Sequence, residues 1–181
     1  MFIAKEKRGT NIAEYIIYMW QIEDLIRAHN FDIQRIDTEL VKQYQGTPQQ
    51  IEEIGQWYQG LAESMLIEGI RNHGHLQVLV SLLDDVNNLH FRLIDSPVHG
   101  PYQNLYISSI NNISELRKRM GGKEKISDME VCLTALYGLL LMRLKKKPVS
   151  KETEEVFSLF SELLAELSRL YKMYEEGVLE L

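Results

Sequence analysis

Glu14, Tyr18 and Gln21 fall on one side of the first three turns of a predicted helix from Thr10 to His29, projected at about 100° per residue. Around them stand Ile12, Ile16, Ile17, Met19, Trp20, Ile22, Leu25 and Ile26, so the helix is apolar on almost every side. A helix of that kind belongs at the centre of a protein. A carboxylate, a phenol and a carboxamide on a central helix are the best candidates for lining a ligand pocket. The plainer account is a buried network in which Glu14 is hydrogen-bonded to Tyr18, Gln21 or a distant arginine. An unpaired carboxylate in an apolar core is too costly to leave alone.

A second polar cluster runs from Asp84 to Arg92, where Asp85, Asn88 and Arg92 share one helix face. It reads as a pocket wall facing the Glu14 strip or, more simply, as a solvated outer face. Arg92 and His99 also have the Arg-x6-His spacing found in some helical HEPN ribonucleases, where arginine steadies phosphate and histidine moves a proton. That motif is short, Pro97 interrupts it, and the acidic chain attracts RNA poorly.

Metal chemistry has little to build on. Helical di-metal carboxylate proteins use Glu-x-x-His, yet the residues three before the histidines are Ile26, Ile70, Asn72, Asn87 and Ser96. His73 and His75 flank Gly74 at a predicted helix end, where exposed histidines are common. His-Glu-x-x-His and Cys-x-x-Cys are absent. No metal and no cofactor is expected. Two basic clusters remain, Arg117 to Arg119 with Lys123 and Lys125, and Arg143 to Lys147. Each closes a predicted helix, where positive charge complements the helix dipole.

Seven predicted helices must position these residues, and no strand competes. After the first, a second spans about Asp32 to Tyr44, with Ile33, Ile36, Leu40 and Val41 on one face. Thr47-Pro48-Gln49-Gln50 opens a third with a capping box and proline at its first position. It is expected to reach about Asn72, with Gly74 as terminator and close packing compensating Gly55, Gly60 and Gly69. The fourth runs from about Leu76 to Asp95, with Leu79, Leu83, Val86 and Leu93 inward. The fifth runs from near Pro101 to Gly121-Gly122. Ser127 to Glu130 forms a second capping box for the sixth, which ends near Lys145. Ser150 caps the seventh, whose seam is Val156, Phe160, Leu163, Leu167, Leu170 and Tyr174. Phe157, Leu164 and Tyr171 widen that seam, which implies a peripheral helix with apolar surface to spare.

The chain has 181 residues, 45% hydrophobic and 25% charged, with a net charge of -6. That suits one domain over residues 1–181 with its own core, and it argues against a nucleic-acid binder. Cys132 is the only cysteine, which excludes an internal disulfide. Trp20, Trp57 and Cys132 read as core. The charged first residues do not resemble a secretion signal. The longest apolar run, Val131 to Met142, is too short to cross a bilayer. A cytoplasmic, all-α, single-domain bundle of about seven mostly antiparallel helices follows.

The run Asn11 to Arg27 resembles the opening of a helical family from Bacteroidetes classed as a domain of unknown function. Thr134 to Leu141 and Glu175 to Leu181 are similar to it too, so the likeness spans essentially the whole chain. It implies a small bacterial cytoplasmic protein and carries over no activity, cofactor or catalytic residue. The expectation is a non-enzymatic module that binds a protein partner, itself included, through the seventh helix. The alternative is a small-molecule binder or enzyme with its pocket beside Glu14, Tyr18 and Gln21.

Overall fold

Asn11 separates the predicted first helix from a helix that precedes it. Its backbone is extended (φ -151°, ψ 103°), and its side chain accepts the Glu14 N–H. It therefore ends α1 (Phe2–Thr10) and caps α2 (Ile12–Ala28). The computed structural model describes residues 1–121 and 126–181 and places eight α-helices and no strand among them. The fold is an all-α bundle.

The predicted first helix corresponds to α2, and α1 before it is an element the apolar pattern did not announce. α2 packs against α1, α4, α7 and α8. Ile16 and Ile26 are fully buried, and Met19, Trp20 and Ile22 nearly so. Beyond α2 the backbone turns through positive φ at Asn30 and Phe31. Asp32 then caps α3 (Ile33–Glu39) by accepting the Gln34 and Arg35 N–H groups. A 3₁₀ turn at Val41–Gln43 splits the predicted second helix, and Ile33, expected inward, is exposed.

Thr47 and Gln50 complete the expected capping box of α4 (Pro48–Ile67). That helix stops earlier than expected: Gly69, at φ +71°, ends it, because only glycine takes this left-handed backbone without strain. No atom stands within 4 Å of where a Gly60 side chain would project, so close packing does not account for that glycine.

The remaining helices are α5 (Gln77–Asp95), α6 (Gly100–Arg119), α7 (Asp128–Leu144) and α8 (Lys151–Glu175). Leu79, Leu83, Val86 and Leu93 of α5 are buried as expected. Ser127 accepts the Glu130 N–H and caps α7; Ser150 does the same for α8 through Thr153. Gly122, Lys123 and Lys125 lie outside the described residues.

The placement of α8 corrects the expectation of a peripheral helix. It packs against α1, α2, α5, α6 and α7. Leu164 and Tyr171, the supposed surplus, are buried and Phe157 is half-buried. The apolar width that looked spare is the width needed to face several neighbours at once. Among the described residues, no helix is long and apolar enough to cross a membrane.

Candidate functional site

Glu14 stands at the first turn of α2 with its side chain 57% exposed, and Lys7 of α1 donates to it at 2.6 Å. The carboxylate complements the positive end of α2 and ties α1 across the Asn11 break. Tyr18 and Gln21 are half-buried on the same helix. The Tyr18 hydroxyl points to the Met1 sulfur at 3.4 Å. Burial first, then the neighbouring Tyr44 hydroxyl, raises its pKa.

The buried acid of α2 is Glu23 instead, with no exposed surface. One oxygen accepts the Leu76 N–H at 2.9 Å, and the other accepts His75 Nδ1–H at 2.5 Å. Leu76 is the cap position of α5 and has no side-chain cap of its own. Glu23 supplies it from another helix, and Glu68 accepts the next amide, Gln77 N–H, at 2.7 Å. Free amides and the dipole at a helix start favour just such anions. Trp20 stacks on His75 with centroids 4.6 Å apart. One turn beyond Glu23, Arg27 donates to the carbonyls of Ile70 and Gly74. Two residues of α2 therefore clamp the α4–α5 connection.

Asp85, Asn88 and Arg92 do come together, in a groove of about 300 Å³ shared with Tyr171, Tyr174 and Glu175 of α8. Arg92 lies over the Tyr174 ring at 5.3 Å, and Arg8 lies over Tyr171 at 5.7 Å while forking onto Glu175. Glu14, Tyr18 and Gln21 do not line that groove. His99 is engaged elsewhere: its Nε2–H donates to the Glu180 carbonyl at 2.7 Å.

A second buried network joins α5, α6 and α7. The Tyr102 hydroxyl and His90 Nδ1 lie 2.6 Å apart, within hydrogen-bond distance. His90 Nε2 faces the Asp128 carboxylate at 3.8 Å, beyond a formed hydrogen bond, and has no other partner. Tyr106 donates to the same carboxylate at 2.6 Å, and Arg117 pairs with its other oxygen. His90, then Tyr106 and Arg117, hold the Asp128 carboxyl well below the usual carboxylate range. Cys132 is fully buried beside them, and burial pushes its thiol up. A histidine, an acid and a thiol in one place resemble a catalytic set. A protonated, enclosed thiol is inert, however. Among the described residues no three His, Cys, Asp or Glu side chains gather to hold a metal ion.

Sequence reasoning passed over the outer face of α6. From Gly100 to Ser114 the chain has no Asp, Glu, Lys or Arg. Asn104, Ile107, Ser108, Ile110 and Asn111 on that stretch are nevertheless exposed, Ile107 at 66%. The signal was present as a gap in the charge pattern, and reading for inward apolar periodicity ignores it. Charged residues fill most of the exposed positions of α8, the ordinary alternative, among them Lys151, Glu152, Glu154, Glu155, Glu162 and Arg169. Asparagine and serine each cost about 0.5 kcal/mol against alanine in a helix, so α6 is tuned neither for solvation nor for helix strength.

A family model described as a domain of unknown function, DUF4924, matches residues 1–178. No curated protein and no solved structure matches the chain.

Proposed function

The chain belongs to the DUF4924 family, and from that premise we propose that it works without catalysis, as a helical module that docks a protein partner. The observation that carries this reading is the outer face of α6, uncharged and studded with exposed Ile107 and Ile110. The core of a protein interface is depleted in charge in the same way. Phe91 of α5 and Val98 of the α5–α6 connection add exposed apolar surface nearby in the chain. The hydrogen bonds that tie Glu23 to the start of α5 and Asp128 to Tyr106 and Arg117 support a structural use of these polar groups. A cytoplasmic setting in a bacterium, and in Bacteroidetes in particular, goes with this proposal. It rests on the resemblance of Asn11 to Arg27 and on the lone, buried Cys132.

The test places a photo-crosslinking side chain at position 108 of the full chain in its native cells. A discrete protein adduct that disappears with Ile107→Arg is the expected result. The absence of any protein adduct at that position, with the chain folded and expressed, overturns the reading.

One observation favours a second reading, a small-molecule site. Asp85, Asn88 and Arg92 converge with two tyrosine rings in one groove. A polar ligand held there would raise the melting temperature of the wild-type chain and not that of Asp85→Ala. The strip of Glu14, Tyr18 and Gln21 belongs to the same alternative, with Gln21 the member that has no assigned structural role.

A further inference from the structure

We propose that the groove between α3 and α4 docks a basic, amphipathic segment of a protein partner. The groove has a volume of about 610 Å³. Ile33, Ile36 and Val41 supply its apolar lining, and Asp37 of α3 and Glu52 of α4 add a carboxylate from either helix. Gly55 stands in its α4 wall. A Cβ there would lie 3.8 Å from Asp37 Oδ1 and 3.9 Å from Val41 Cγ1, ordinary contact distances, so packing does not demand glycine. Alanine is the better helix former. Glycine keeps the wall low and the groove open. No lining residue belongs to α6, so this surface stands apart from the reading of that helix.

The sign of the occupant follows from the distribution of charge. Residues 32–68, which build the groove, hold seven Asp or Glu and two Lys or Arg, a net charge of -5. The rest of the chain holds 19 and 18, a net of -1. α4 has Glu52, Glu53 and Glu63 and neither lysine nor arginine. Glu52 and Glu63 accept from Gln56 and Gln59 of their own helix, and Glu53 feels the Met1 amine. Of the two cations, Arg35 forks onto Glu39. Lys42 lies 3.8 Å from Asp37 with its side chain 63% exposed. An exposed pair of that kind is weak, so a partner's cation can displace Lys42. Shape makes the partner a polypeptide. Glu52, Gln56, Gln59, Glu63 and Ile67 follow one another at three- and four-residue steps, and all are exposed. That stripe runs about 22 Å along α4, more than a small ligand spans. An amphipathic helix laid along it turns its apolar side chains into the groove and sets lysine or arginine beside Asp37 and Glu52.

Fluorescence anisotropy of the full chain with a labelled peptide of about 15 residues, leucines on one helical face and lysines on the other, reads this docking directly. Binding is expected, and raising salt from about 20 to about 300 mM should weaken it. Glu52→Lys should weaken it at least about tenfold, and so should Gly55→Leu, which fills the groove without touching its charge. The same peptide with glutamate for lysine should bind an Asp37→Lys, Glu52→Lys double variant and not the wild type. Glu155→Lys on α8 makes the same change in net charge as Glu52→Lys. It should leave binding within about twofold, as should Ile107→Arg on α6. Circular dichroism on each variant separates lost binding from lost folding. No binding by the wild type, or equal weakening by Glu155→Lys and Glu52→Lys, overturns the inference. Unchanged binding in a folded Gly55→Leu chain does so too. Self-association that Glu52→Lys abolishes would give the groove to a second copy and overturn the partner named here. The position-108 crosslink tests α6 alone, so either surface can fail without the other.

Discussion

Glu23 shows how a single charge is tolerated at the centre of the bundle. Its carboxylate is enclosed, yet both oxygens are used, one by the Leu76 N–H and one by His75. Removing the carboxylate strands the amide of Leu76, the cap residue of α5, and leaves His75 without its acceptor. Glu23→Ala should destabilise the chain by about 2–4 kcal/mol, and Glu23→Gln by less, since its amide oxygen still accepts from Leu76. Chemical denaturation of the two variants checks the order. If Glu23→Ala costs no more than Glu23→Gln, the cap is not what holds the connection. Asp128 contributes a pH dependence. Its folded pKa is depressed by His90, Tyr106 and Arg117. The stabilisation is therefore present above the unfolded value near about 4 and is lost as pH falls through the folded value. Asp128→Asn should lower stability at neutral pH and flatten the acid limb below about pH 4. Melting curves between pH 7 and 2 measure it, and an unchanged acid limb in the variant removes Asp128 as its source.

Elements differ in how openly their neighbours are written into them. The all-round apolar character of α2 announces a central helix, and the burial of Ile16 and Trp20 bears that out. Trp20 also stacks on His75 and meets the Tyr137 ring edge-on at 6.0 Å. Trp20→Ala should cost about 3–5 kcal/mol, the range for emptying a large aromatic site. A loss below about 1 kcal/mol would show the site collapsing without consequence. The seam of α8 is buried at Phe160, Leu163, Leu167 and Leu170, whereas Val156 is half-buried and Tyr174, expected within it, is exposed; the environment of the seam was not legible. Periodicity reports how wide an apolar face is, and a wide face serves an exposed patch and a many-sided core equally well. Helix ends followed local chemistry: Thr47 and Gln50 form the full capping box. Ser127 and Ser150 cap by accepting the Glu130 and Thr153 N–H groups, the Ser127 cap without the expected return bond from Glu130. The predicted first helix began at Thr10, one residue before Asn11, the residue that caps α2.

At the scale of the whole molecule, one core gathers residues from every α-helix. No histidine–carboxylate group of metal-binding size accompanies it among the described residues. Chelation should accordingly leave the melting temperature unchanged within about 1 °C, because folding is not linked to a bound ion. Protein prepared without added metal that carries a stoichiometric ion, and melts earlier under chelator, would refute this. Helix content, most helix boundaries and the central place of α2 were determined by the sequence itself. Helix capping and 3.6-residue periodicity are local, encoded within a few residues of where they act. The polar pairings were decided only by tertiary structure. Glu23 meets His75 across 52 positions, and Arg8 meets Glu175 across 167. Nothing local distinguishes Glu23, which is buried, from Glu14, which is not. Both sit on an apolar helix, and only the arrival of the free α5 amides beside one of them makes burial affordable there.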